Sequence, residues 1–180
     1  VNYPKHLLKI KKPPEQLYVL GDETLLNKQS IAIIGSRDCT QYRYEQAERF
    51  AKELARENIC IVSGMAIGID SAAHIGAKSE LGKTIAVLGS GFNHIFPKEN
   101  EELFHEIIEE GGCIISEYEP DTEPNSKNFP IRNRIISGLA DGVLVVEAKS
   151  KSGSGITARL AKKQNKKVYC IPSNIDSKNG

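Results

Sequence analysis

The chain has 180 residues, with 24 Lys and Arg against 23 Asp and Glu, so its net charge is only +1. Hydrophobic residues make up 39% and aromatics 6%, which suits one soluble domain with a sizeable core and argues against wholesale disorder. No apolar run approaches the roughly 20 residues of a membrane span, residues 1–14 are basic with no signal-peptide core, and the four cysteines lie far apart with no CxxC pair. No metal site or disulfide framework is expected, and the compartment implied is a reducing cytoplasm.

Residues 1–30, with Pro4, Pro13 and Pro14, read as an extended N-terminal lead-in carrying a short helix. The core is expected over 31–180. It opens with the apolar run IAIIG at 31–35, followed by a helical stripe of Ala47, Phe50, Ala51, Leu54 and Ala55. A strand at 59–63 precedes a helix over 69–80, and a strand at 84–89 precedes the stripe Leu103, Phe104, Ile107 and Ile108. A strand at 113–116 is followed by Ile131, Ile135, Ile136 and Leu139, then a strand at 142–148. A Ser/Gly-rich loop at 149–155, a helix containing Ile156, Leu160 and Ala161, and a strand at 168–172 complete the order. The strand runs are short, continuous and β-branched, as expected for strands buried on both faces. Strand–helix alternation throughout predicts an α/β fold, a doubly wound and mainly parallel sheet flanked by helices.

In such sheets ligands bind beyond the carboxyl ends of the strands. Four of those ends carry small residues: Gly35-Ser36-Arg37, Ser63-Gly64, Gly89-Ser90, and Ser152-Gly153-Ser154-Gly155-Ile156-Thr157. Glycine permits close backbone approach, and N–H groups at a helix start attract anions. Together they predict phosphate binding. The sequence contains no GxxxxGK[ST], no GxGxxG opening the first helix and no GxSxG, so P-loop, ordinary dinucleotide and nucleophile-elbow chemistry are unsupported and no cofactor is predicted.

The segment Asn128-Phe129-Pro130-Ile131-Arg132-Asn133-Arg134 puts two arginines at a helix start, against the macrodipole, with an aromatic just upstream. That pattern suits an anionic partner: Arg forms bidentate phosphate contacts and Phe129 offers a face to a base. Asp70 and His74 share a helical face, either as an acid–base pair or, with no third partner evident, as a helix cap and a packed ring. Glu147 ends a buried strand, as an active-site carboxylate or as a group orienting nearby Arg or loop N–H groups.

The near-neutral sum hides segregation. Residues 99–123 carry nine Glu and Asp121 with no Lys or Arg, a net −10. Residues 125–170 carry ten basic side chains against Asp141 and Glu147, a net +8, and residues 1–14 add four lysines. The basic block holds both the FPIRNR segment and the SGSGIT loop, flanked by Lys127, Lys149, Lys151 and Arg159, which is a footprint for a polyanion.

These motifs, in this order, resemble the DprA/Smf family of DNA-processing or recombination-mediator proteins. The pieces are SGMAIGIDSAAH (63–74), TIAVLGSG (84–91), FPKEN (96–100), FPIRNRIISGL (129–139), VVEA (145–148), SGSGITA (152–158) and IPSN (171–174), with the Gly35-Ser36-Arg37 loop ahead of them. The resemblance implies an extended Rossmann-like core that binds and protects single-stranded DNA. It also implies a homodimer that loads the recombinase RecA in natural transformation, with no membrane association and no catalytic residue. In that picture Arg37, Lys127, Arg132 and Arg134 hold phosphates beside Gly35, Ser36, Ser63, Gly64, Gly89 and Ser90. Phe129 supplies an aromatic face; Asn128, Asn133, Ser152, Gly153, Ser154 and Thr157 complete the surface. The family's small N-terminal helical domain and its C-terminal winged helix are expected to be absent from this sequence. Two departures stand out: Arg43 follows Tyr42 where the family usually has Gly, and Ser173 follows Pro172 where Gly is usual.

The rival is the related lysine-decarboxylase-like (LOG) group of nucleotide phosphoribohydrolases, whose PGGxGTxxE loop carries a working carboxylate. Here Ala158, Arg159 and Leu160 stand where it belongs. A small-nucleotide binder using the same pocket is the third reading.

Overall fold

The computed structural model describes residues 3–148 and 152–172. Seven strands form one sheet in the order β1-β5-β4-β3-β2-β6-β7. They are β1 (Tyr18–Gly21), β2 (Ser30–Gly35), β3 (Cys60–Ser63), β4 (Thr84–Leu88), β5 (Cys113–Ser116), β6 (Gly142–Glu147) and β7 (Lys167–Cys170). All pairings are parallel except β1 with β5. The α/β architecture is therefore the one expected, an extended Rossmann-like sheet. The lead-in does more than run up to the core, however. Its residues 18–21 add an antiparallel edge strand, with Tyr18 opposite Ser116. That strand has only four residues, half-exposed to exposed, so it carried no buried apolar run to mark it.

Five α-helices flank the sheet among the described residues: α1 (Gln41–Arg56), α2 (Ile69–Ala77), α3 (Glu101–Glu109), α4 (Asn128–Leu139) and α5 (Gly153–Lys163). Alternate strand residues serve opposite layers, as period-two geometry requires. Ile33, Ile61, Leu144 and Val146 pack against Ala47, Ala51, Ala72 and Ala73 of α1 and α2. Ala32, Ile34, Val62, Val143 and Val145 pack against Ile135, Ile136 and Leu139 of α4, and the lead-in contributes Leu7 and Ile10 to this layer. Small alanines on α1 and α2 let those helices approach closely. At Gly76 an added Cβ would stand 2.2 Å from the carbonyl of Glu48. Two residues assigned to helical stripes fall outside the core: Phe50 and Ile131 are 41 and 48% exposed. They lie at the edges of their stripes, where the apolar face turns toward solvent.

The chain crosses from one half of the sheet to the other between β5 and β6. Strand β2 therefore neighbours both β3 and β6, and the connections leaving β2 and β6 diverge to opposite faces. Such a switch point opens a crevice at the carboxyl ends of the two strands.

Candidate nucleic-acid interface

A cleft of about 670 Å³ occupies that crevice. One wall is the loop after β2. The Ser36 hydroxyl donates to the carbonyl of Asp38 at 2.9 Å, which bends the loop so that Arg37 stands exposed at its apex. The start of α2 buttresses this bend: the Ile69 N–H donates to the Ser36 carbonyl at 3.2 Å. A Cβ at Gly35 would meet the Ile69 side chain at 2.5 Å, and Gly68 takes φ +82°, so both glycines are required for that approach.

The opposite wall is the first turn of α5. Ser152 caps it, accepting from the Gly155 N–H at 3.3 Å and lying 2.8 Å from the Ser154 hydroxyl. Thr157 donates back to the Gly153 carbonyl. First-turn N–H groups have no partner inside their own helix, so this wall favours negative charge.

Helix α4 supplies the floor. Arg132 is only 5% exposed and its Nη1 donates to the carbonyls of Gly64 (2.6 Å) and Val87, joining the ends of β3 and β4. Burial lowers its pKa to about 10, opposed by the charge of Asp70, so it remains a cation at neutral pH. Asn133 donates to the Gly153 carbonyl, which ties α4 to α5. The Phe129 ring has both Arg37 and Arg132 guanidinium carbons 5.9 Å from its centroid. Gly89 lies beneath it, where a Cβ would approach Phe129 Cδ1 to 2.7 Å.

The structure thus brings together Gly35, Ser36, Arg37, Phe129, Arg132, Asn133, Ser152, Gly153, Ser154 and Thr157 around one cleft, with Gly64 lining a smaller adjoining cavity. Other expected residues stand elsewhere. Ser63 is fully buried and donates to the Ile33 carbonyl; Ser90 is buried and donates to the His94 carbonyl. Lys127 precedes α4 as its N-cap and is exposed, and Asn128 follows it; neither lines the cleft. Arg134 is turned away. Two residues beyond Arg132 on a helix is about 200° of rotation, and there Arg134 forms a two-pronged ion pair with Glu117 at 2.7 and 2.6 Å and donates to the Lys12 carbonyl. Its guanidinium links α4 to the residue after β5 and to the lead-in. Lys149 and Lys151 lie outside the described residues.

The cleft also contains Asp38, Phe96 and Ser126, which the sequence did not single out, and Asp70, which it offered as an acid–base partner or a helix cap. Asp70 does not cap α2; the N-cap is Gly68, and the Asp70 carboxylate accepts from the Ala66 N–H at 3.4 Å. Burial raises its pKa, with Arg132 opposing that shift. His74 packs as expected. The Thr84 hydroxyl donates to the Ile61 carbonyl, so His74 Nδ1–H donates to Thr84 and Nε2 accepts from the Met65 N–H. Burial pushes its pKa down to about 3, so it stays neutral. Glu147 is 6% exposed, does not line the cleft, and its Oε2 has no hydrogen-bond partner among the described residues. Arg43, the departure after Tyr42, is buried and donates to the carbonyls of Val146 and Pro172. It therefore anchors the segment after β7, where the second departure, at Ser173, follows outside the described residues. No group of three or more His, Cys, Asp or Glu able to hold a metal occurs among the described residues.

A family model for DNA recombination-mediator protein A matches residues 1–180. The chain belongs to this family. A curated relative, the DNA processing protein DprA of Bacillus subtilis, is 42% identical over 174 residues, covering 96% of this chain and 58% of the relative. Among solved structures, a DNA processing protein A from Helicobacter pylori, described for its single-stranded DNA binding mode, superposes with a TM-score of 0.92 at 37% identity. The match covers 98% of this chain and 81% of that one. A DprA from Streptococcus pneumoniae gives a TM-score of 0.91 at 41% identity over 97% of this chain and 61% of its own. This chain spans about half the length of the curated family members it matches.

Proposed function

We propose that the cleft binds single-stranded DNA through its phosphate backbone. One observation carries the reading: an exposed arginine, Arg37, stands at the mouth of a cleft whose floor is a second, buried cation, Arg132, and whose far wall is a helix N-terminus. Such a site attracts a linear polyanion, and Phe129 and Phe96 add aromatic surface for unstacked bases. The single-stranded DNA described for the H. pylori relative supports it.

On this reading the chain acts as a recombination mediator: it protects single strands and loads RecA during natural transformation, working as a homodimer. The site is a binding site with no reaction of its own. The four cysteines are free thiols and Cys60 and Cys113 are buried, which suits a reducing cytoplasm. No described helix is long and apolar enough to cross a membrane.

The phosphoribohydrolase reading lacks its carboxylate, since α5 carries Ala158, Arg159 and Leu160 at those positions. Binding of labelled oligothymidylate, competed by unlabelled single and double strands, tests the proposal. Preference for single strands that weakens as salt rises is expected. Equal competition by duplex, or release of adenine from AMP, contradicts it.

A further inference from the structure

A carboxyl group, that of Asp70, lines a cleft whose other walls suit an anion. Asp70 sits in the first turn of α2 and is 8% exposed. A buried carboxylate needs donors if it is to stay ionised, and those around it are mostly engaged elsewhere. The N–H groups of Ile69 and Ser71, on either side of it in the chain, donate to the Ser36 and Ala66 carbonyls. The Ser63 hydroxyl donates to the Ile33 carbonyl at 2.6 Å. The Ala66 N–H reaches Asp70 Oδ2 only at 3.4 Å.

Arg132 is the cation on the neighbouring helix, but its donors point away. Its Nη1 meets the Gly64 and Val87 carbonyls and its Nε meets Asn133 Oδ1. Gly64 stands between the two groups: a Cβ there would lie 2.7 Å from Asp70 Oδ2 and 3.0 Å from Arg132 Nη2. Among the described residues Asp70 forms no direct ion pair. The other charged or titratable groups nearby are Arg37 and Asp38 in the same cleft, Glu99 in the adjoining cavity, and His74 one turn along α2, which stays neutral. Burial outweighs the Arg132 charge and the donors at Ala66, Ser63 and Gly64, and raises the Asp70 pKa.

The two forms of this side chain treat a phosphate differently. The ionised carboxylate can only accept hydrogen bonds, and it repels a second anion in the same cleft. The protonated carboxyl has lost the charge and gained an O–H donor, and an O–H···O bond to an ionised oxygen is among the stronger hydrogen bonds.

We propose that Asp70 binds a phosphate of the strand as a neutral acid: a proton taken from solvent sits on the carboxyl, whose O–H donates to a phosphate oxygen, so that strand and proton bind together. This rests on the single-stranded DNA reading and adds a proton to it.

The test measures affinity for oligothymidylate at fixed salt from pH 5.5 to 8.5, for the parent protein and for Asp70→Asn, which keeps a donor and cannot ionise. In the parent, affinity is expected to fall as pH rises, by up to about tenfold per unit, because a strand that raises the proton affinity of Asp70 is itself bound more tightly by the protonated form. Asp70→Asn should show a flatter profile and bind more tightly than the parent at pH 8.5. Other titrating groups are common to both proteins, so the difference between the profiles belongs to Asp70. A second measurement needs no variant: calorimetry of the parent in buffers of different ionisation enthalpy should show net proton uptake on binding. Equal profiles in the two proteins, or no proton uptake anywhere in that range, overturns the neutral acid while leaving strand binding intact. Failure of the parent to bind oligothymidylate at any pH overturns the acid and the DNA reading together.

Discussion

The guanidinium of Arg37 lies 5.9 Å from the centre of the Phe129 ring, joining the loop after β2 to the first turn of α4 across the mouth of the cleft. The two residues are 92 positions apart in sequence, and only the crossover from β5 to β6 brings them together. Being exposed, this contact contributes about 0.5–1 kcal/mol to the fold. Its consequence is orientation, since the cation is held at the entrance.

Arg132 and Arg37 are predicted to differ in what they support. Arg132→Ala removes two bonds to buried carbonyls and should lower stability by about 2–4 kcal/mol. Arg132→Lys should rescue little of this, because an ammonium lacks the planar fork. Urea unfolding checks both, and an Arg132→Ala variant of unchanged midpoint contradicts the structural role.

Arg134 should be separable from DNA binding altogether. Glu117→Gln removes one charge of the two-pronged pair, whose side chains are 16 and 14% exposed. A loss of about 1–3 kcal/mol is expected, together with unchanged affinity for oligothymidylate. A selective drop in affinity at unchanged stability would return Arg134 to the binding surface.

Gly89→Ala places a methyl 2.7 Å from Phe129 Cδ1. The ring must shift, at a cost of about 1–3 kcal/mol of overpacking, and its relation to Arg37 and Phe96 shifts with it. Both the unfolding midpoint and the affinity for single strands should fall, as measured by urea unfolding and anisotropy.

Acidification should destabilise the protein through His74. Its folded-state pKa is about 3 against an ordinary 6.5. Between those values the unfolded chain binds the extra proton, so stability is full above pH 6.5 and falls as pH drops, by up to about 1.4 kcal/mol per unit. Asp70 acts in the opposite sense: burial raises its pKa, so its folded form takes up a proton first. The measurable quantity is therefore the difference in the pH slope of unfolding between the parent protein and His74→Gln. A flatter slope between pH 7 and 5 is expected in the variant, and equal slopes contradict the account.

The sequence carried the sheet and its helices because β2 to β6 are continuous apolar runs, a pattern that buried parallel strands require. It did not carry β1, a short edge strand with half its residues exposed. The cleft was readable wherever function lies in backbone and small residues, as at Gly35-Ser36-Arg37 and Ser152 to Thr157. It was less readable where direction decides function. Arg132 and Arg134 are alike in composition and near neighbours in sequence, yet one enters the cleft and the other meets Glu117. Phe96 was missed because it joins the cleft through a turn in the chain, at 92–97, rather than through any periodic pattern, and Asp70, weighed as a cap or an acid–base partner, reaches the cleft from the first turn of α2.

The most direct measurement is the salt dependence of oligothymidylate binding for the parent protein and for Arg37→Ala, followed by fluorescence anisotropy. Arg37 is exposed, so the substitution should leave stability within about 0.5 kcal/mol. The account predicts weaker binding by Arg37→Ala and a slope of log affinity against log salt shallower by about 0.7, the value for one lost phosphate contact on a single strand. The same affinity and the same slope in both proteins would contradict strand binding in this cleft.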